Sequence, residues 1–114
     1  MSLRDEDLKL LYDLEQAARR ISEFTRGKTQ DDYLDDALLR SAVERQFEII
    51  GEAVNRLQRD NPSLAAGIRD YRKMIAFRNV LIHRYDVISH GIVWEAVEIK
   101  IPLLLDDIKS ILDS

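Results

Sequence analysis

The sequence predicts an all-α protein: an antiparallel four-helix up-and-down bundle that pairs with a second copy of itself. Three observations lead there. Apolar residues recur at helical spacing along four stretches, no stretch alternates with the two-residue period of a strand, and the breaks between stretches are short and carry Gly, Pro, Asn or Asp. Helices joined by short links favour antiparallel neighbours.

The first helix is expected from about residue 4 to 26, because Leu10, Leu14, Ala17, Ile21 and Phe24 line one stripe and Gly27 offers a C-terminal cap. The second runs from about Asp32 to Asp60, with Leu39, Val43, Phe47, Ile50, Val54 and Leu57 on its apolar side. Asp31 or Asp32 can cap its start, and Asn61-Pro62-Ser63 ends it. Gly51 lies inside this helix, where glycine costs roughly 1 kcal/mol against alanine unless something packs closely on it. A short connection over 61–67 leads to a third helix from about Asp70 to His83 or Arg84. The fourth runs from near Ser89 to about Leu112, with a kink expected at Pro102. Its apolar residues cover well over half its circumference, so it needs more than one neighbour, and that surplus predicts the dimer.

At 114 residues, with 46% hydrophobic and 33% charged side chains, residues 1–114 form a single ordinary globular domain. There is no cysteine, which removes disulfide scaffolds and thiolate metal sites. The N-terminus is charged from the start and no apolar run approaches membrane-spanning length, so a cytoplasmic protein without a membrane partner is expected. A net charge of −4 argues against indiscriminate coating of nucleic acid, DNA included. The charge is unevenly spread. Residues 68–85 carry Arg69, Arg72, Lys73, Arg78 and Arg84 against Asp70 alone.

That positive stretch contains Arg78, whose helical neighbours at i−4, i−3, i+3 and i+4 are Met74, Ile75, Leu81 and Ile82. A guanidinium in an apolar stripe needs compensation: a carboxylate from Glu44, Glu48 or Glu52, or a site left open for an anion. His83 follows five positions later, about 140° around a helix, so one intact helix does not aim both at a single target. Either the helix unwinds near His83, or a second copy of the chain supplies the other half. The bland readings are a dipole contact for His83 at the helix end, local packing for Tyr85, and a structural role for His90. Asp31-Asp32-Tyr33-Leu34-Asp35-Asp36 lacks the glycine and distal glutamate of a calcium loop, no glycine-rich phosphate loop exists, and Glu44, Glu48 and Glu52 have no His partners. Neither a metal nor any other cofactor is expected.

Arg78-Asn79-Val80-Leu81-Ile82-His83-Arg84-Tyr85 resembles the Arg-x4-His-x-Tyr motif of the HepT-like toxins in the HEPN superfamily. Phe47-Glu48-Ile49-Ile50-Gly51-Glu52-Ala53 and Ile92-Val93-Trp94 also look like that family, so the resemblance covers nearly the whole chain, with no departure in the motif. It implies an α-helical homodimer acting as a metal-independent endoribonuclease, with two motifs meeting at the two-fold axis in a composite site. It also implies a cognate minimal nucleotidyltransferase antitoxin that silences the toxin by adenylylating the motif tyrosine, here Tyr85.

The residue types suit that chemistry. RNA carries its own nucleophile, the 2′-hydroxyl, and cleavage requires a proton acceptor and charge stabilisation. An imidazole accepts a proton near neutral pH, the role expected of His83, and a guanidinium holds a phosphate and stabilises its growing charge, the role expected of Arg78. Asn79 can bond the phosphate or fix the His ring, and Arg72, Lys73 and Arg84 are candidate RNA contacts. The expected products are a 2′,3′-cyclic phosphate and a 5′-hydroxyl. The alternative from another class is a non-catalytic helical or nucleotide-binding module that partners a nucleotidyltransferase. In a catalytic dimer both His83 rings should line an open, positively charged cleft, whereas a His83 sealed by packing would favour the module.

Overall fold

The computed structural model describes residues 3–113; residues 1, 2 and 114 of the expected domain lie outside them. The described residues form α1 (Asp5–Thr25), α2 (Gln30–Asp35), α3 (Ala37–Asp60), α4 (Pro62–Ala65), α5 (Tyr71–His83), a 3-10 turn (Tyr85–Val87), α6 (His90–Glu95), a π segment (Ala96–Lys100) and α7 (Ile101–Leu112). The protein is all-α, and the expected long helices are present with two amendments.

The first amendment concerns the second helix, which is broken at Asp36. There the backbone is extended (φ −120°, ψ 97°) and the carboxylate accepts the Leu39 N–H at 3.1 Å, so Asp36 caps α3. An aspartate that bonds the backbone ahead of it competes with helix continuation. Neither Asp31 nor Asp32 is the cap of the short helix before it. Thr29 is, accepting from the Asp32 N–H at 3.1 Å while the Asp32 carboxylate accepts the Thr29 N–H at 2.8 Å. The second amendment concerns Pro102. It has no N–H to give the Glu98 carbonyl, and the turn before it widens into the π segment.

α1 and α3 form the central pair. Arg4 donates to the Asp60 carbonyl at 2.9 Å and Asn61 donates to the Asp7 carboxylate at 3.1 Å, which ties the start of α1 to the end of α3 and makes the two antiparallel. Their stripes meet as the sequence predicts: Leu14, Ala17, Ile21, Val43, Val54 and Leu57 are fully buried, and only Phe24 at the end of α1 remains partly exposed. Each buried aliphatic side chain here contributes about 1.5–3 kcal/mol. α5 packs on the other side of α3, with Phe77 set edge-on to Phe47 at 5.3 Å, while the π segment and α7 pack on α1. α2 lies over α6 through fully buried Tyr33, whose ring meets Trp94 at 5.4 Å and the edge of His90 at 6.4 Å. His90 is thus part of the packing around Tyr33. The segment before α5 is tied to α7 by Asp107, which accepts from the Arg69 backbone N–H at 2.8 Å and from its guanidinium at 2.9 Å.

Between α5 and the last helix there is an apolar groove of about 200 Å³ rather than a packed seam, walled by Phe47, Met74, Phe77, Ile92, Ala96 and Leu104. At its rim Lys100 bonds Asp70 at 3.0 Å, and Asp70 is left-handed (φ 60°), an unusual backbone state for a residue with a side chain. No helix among the described residues is long and apolar enough to cross a membrane.

Candidate active site

Arg78 owes its position to Gly51. A Cβ at residue 51 would overlap the Arg78 Cβ and reach within 2.8 Å of its Cγ and 3.0 Å of the Met74 carbonyl. Glycine removes that obstacle, so α5 lies directly on α3 and the stem of Arg78 crosses position 51. The guanidinium then reaches Glu52: Nη2 donates to Oε2 at 2.7 Å, while Nη1 donates to Asn79 Oδ1 at 2.8 Å. Of the three carboxylates the sequence offers, Glu52 is the one that meets Arg78. Arg78 Nε is buried without a hydrogen-bond partner, and the side chain as a whole is 24% exposed.

The head of Arg78 opens into a groove of about 180 Å³ shared by α1, α3 and α5. Arg45, Glu48, Glu52 and Arg56 line it from α3, Asp13 from α1 and Ile82 from α5. On α3 these residues recur at steps of three and four, the spacing of one helical face, and that was the available signal for Arg45 and Arg56. No motif in the sequence marks that face. Arg45 is paired with Glu48 at 3.3 Å.

α5 keeps its helical form through His83: the Arg84 N–H bonds the Val80 carbonyl at 2.8 Å, and Arg84 is the cap. Unwinding before His83 is therefore not how the two residues meet. Arg78 faces α3, whereas Arg72, Ala76, Asn79, Val80 and His83 form the exposed face of α5. His83 is open to solvent, not sealed. Tyr85, in the 3-10 turn just beyond, is 76% exposed, and Val87 is exposed beside it. The structure thus brings together Arg78, Asn79 and Glu52, and leaves His83 and Tyr85 on the outer surface of the same chain.

The candidate RNA contacts fall elsewhere. Lys73 lies on the rim of the apolar groove, 3.9 Å from Asp70, Arg72 lies over the Tyr71 ring at 5.3 Å, and Arg84 is exposed at the end of α5. None of the three lines the Arg78 groove. Among the described residues no group of three or more His, Cys, Asp or Glu side chains converges as a metal site would.

An all-helical chain with an Arg-x4-His-x-Tyr run at the exposed end of a helix belongs to a narrow class. The family described as "Ribonuclease HepT-like" matches residues 14–111, and the chain belongs to this HepT-like family of the HEPN superfamily. Relatives span nearly its full length. "Putative RNase MJ1380" of Methanocaldococcus jannaschii is 30% identical over 109 residues, covering 96% of this chain and 98% of the relative. "Putative RNase MJ0127" of the same organism is 37% identical over 101 residues, 89% and 80% of the two chains. "Probable ribonuclease HepT" of Thermococcus cleftensis is 37% identical over 94 residues, 82% and 84%. No solved structure matches the chain.

Proposed function

We propose that the protein is a metal-independent endoribonuclease, the toxin of a toxin–antitoxin pair, working as a homodimer with a composite site at its two-fold axis. The observation that carries this reading is the intact helix through His83, which turns Arg78 and His83 about 140° apart while leaving His83 open. In a composite site the Arg of one protomer and the His of the other serve one phosphate. The exposed face of α5 suits such a contact: Ala76 is small at its middle, and Val80, Tyr85 and Val87 are exposed apolar groups around the motif. The names of the relatives support the ribonuclease class.

In the reaction the 2′-oxygen attacks the adjacent phosphorus as His83 takes its proton, and the bond from phosphorus to the 5′-oxygen breaks. Arg78 stabilises the charge that grows on the phosphoryl oxygens, and Asn79 holds the guanidinium in place through its 2.8 Å hydrogen bond. The departing 5′-oxygen takes up a proton from water, giving a 5′-hydroxyl and a 2′,3′-cyclic phosphate, and His83 returns its proton to solvent. The test is cleavage of single-stranded RNA in EDTA. Cleavage is expected to persist there, to vanish in His83→Ala, and to fall at least about a hundredfold in Arg78→Ala. Equal cleavage by wild type and His83→Ala overturns the assignment.

Control by a partner nucleotidyltransferase is part of the same proposal, and the exposure of Tyr85 supports it by leaving the phenol accessible. Its phenol oxygen attacks the α-phosphorus of ATP, pyrophosphate leaves, and the AMP brings negative charge and bulk to the only basic stretch of the sequence, opposing RNA. Intact mass after co-expression with the partner enzyme is expected to gain AMP units in wild type and none in Tyr85→Phe. Equal modification of both would overturn this mode of control.

The second reading, a non-catalytic module, draws on the Glu52 carboxylate, which already neutralises Arg78. His83 is not sealed by packing, and the cleavage test with His83→Ala separates the two readings.

A further inference from the structure

The acceptors around Arg78 raise a question that ribonuclease chemistry alone does not answer. A guanidinium has five N–H donors. Nη2 gives one N–H to Glu52 and Nη1 gives one to Asn79, Nε is buried without a hydrogen-bond partner, and the second N–H of each Nη is left for a ligand. An RNA phosphodiester that approaches from the groove therefore meets a cation already neutralised at 2.7 Å by a carboxylate. Like charges in contact repel, so a phosphate and the Glu52 carboxylate do not share Nη2 without cost.

Glu52 is also well placed to leave. Its side chain is 48% exposed, and an ion pair this open to water is weakly held. Its neighbour on the same face, Glu48, is paired with Arg45, so the carboxylate at Arg78 is the one whose release frees a cation the chemistry requires. Arg78 is different: its stem is packed over Gly51, and Asn79 holds Nη1 at 2.8 Å. The more exposed partner in this pair is the carboxylate.

We propose that Glu52 is the substrate-free counter-ion of Arg78, and that an RNA phosphodiester takes its place on the guanidinium. This rests on the ribonuclease reading. Glu52 keeps a half-buried cation compensated while no RNA is bound, holds Arg78 in the orientation that a phosphate later uses, and sets a threshold that weak anions do not pass. The exchange involves no covalent step: one anion replaces another on Nη2, and the carboxylate turns to water.

The experiment measures binding apart from cleavage. A fluorescein-labelled, single-stranded 2′-O-methyl RNA dodecamer, which has no free 2′-hydroxyl to attack, is titrated by anisotropy against wild type, Glu52→Gln, Glu52→Ala, Arg78→Ala and the Glu52→Gln/Arg78→Ala double variant. Exchange predicts that Glu52→Gln and Glu52→Ala both bind about fivefold tighter than wild type, since each removes a competitor and a like charge. In the Arg78→Ala background the same Glu52→Gln change should alter binding less than about twofold, because no guanidinium is left to compete for. Equal or weaker binding by both Glu52 variants overturns the proposal and makes Glu52 a fixed positioning residue. An equal gain in the Arg78→Ala background also overturns it, since the effect would then be general charge. Cleavage of unmodified RNA by wild type is measured alongside. Its absence would sink the ribonuclease reading, while the coupling between Glu52 and Arg78 would still decide the exchange.

Discussion

Gly51 sets where Arg78 stands. In most helix interiors a glycine is a loss, and here it is the condition for α5 to lie against α3 with an arginine stem between them. Gly51→Ala forces the two helices apart or pushes Arg78 off its carboxylate. The expected result is a loss of about 1–3 kcal/mol in stability together with a marked fall in RNA cleavage. Chemical denaturation of wild type and Gly51→Ala checks the first part. A variant as stable and active as wild type would mean that the close approach at this position is not needed. Asn79 has a smaller part: its carbonyl oxygen holds Nη1 on the side away from Glu52, so the guanidinium keeps one orientation whichever anion occupies Nη2.

The helices respond to acid through their caps and ties. Thr29 N–H and O–H hold the Asp32 carboxylate below its ordinary 3.8, and Lys100 does the same for Asp70. Burial pushes Asp7 up, but hydrogen bonds from Asn61 and Arg4 outweigh it and leave that carboxyl low as well. Groups lowered on folding contribute stability that is fully present above the unfolded value and lost as pH falls through the folded values. Burial raises Glu44 above its ordinary 4.5, which acts in the opposite sense: its cost is present at neutral pH and relieved on protonation. The melting temperature is therefore expected to hold or rise slightly down to about pH 5 and to fall steeply below about pH 4. Glu44→Gln should remove the slight rise. A melting temperature that falls steadily from pH 7 would contradict this. These same ties mark what the sequence could and could not disclose. The apolar stripes of α1 and α3 were legible because burial follows a 3.6-residue period. The break at Asp36 was not, because four aspartates within six residues are equivalent until tertiary packing buries Tyr33 and decides which carboxylate turns back on the backbone. At the site, Arg78, His83 and their 140° separation were legible from spacing alone. The choice of Glu52 among three glutamates on one stripe depended on where α5 meets α3, and Gly51 was its only local sign.

The whole molecule measures 45 × 29 × 19 Å, so its thinnest dimension is about two helix diameters. A body this thin leaves faces uncovered, among them the motif face of α5 with Val80 and the adjoining Tyr85 and Val87, and the surface at Ile92 of α6 and Ile99 of the π segment. Single exposed apolar groups are ordinary, whereas several around one motif suit a second copy of the chain. The central claim is that Arg78 of one protomer and His83 of the other form one site, and subunit mixing tests it most directly. Arg78→Ala and His83→Ala chains are co-expressed with different tags, and their RNA cleavage in EDTA is compared with each variant alone and with wild type. A composite site predicts that the mixture regains about a quarter of wild-type activity, because half of randomly paired dimers are mixed and each mixed dimer has one intact site of two. A mixture as inactive as its parents, with mixed dimers isolated through both tags and wild type active, would contradict it.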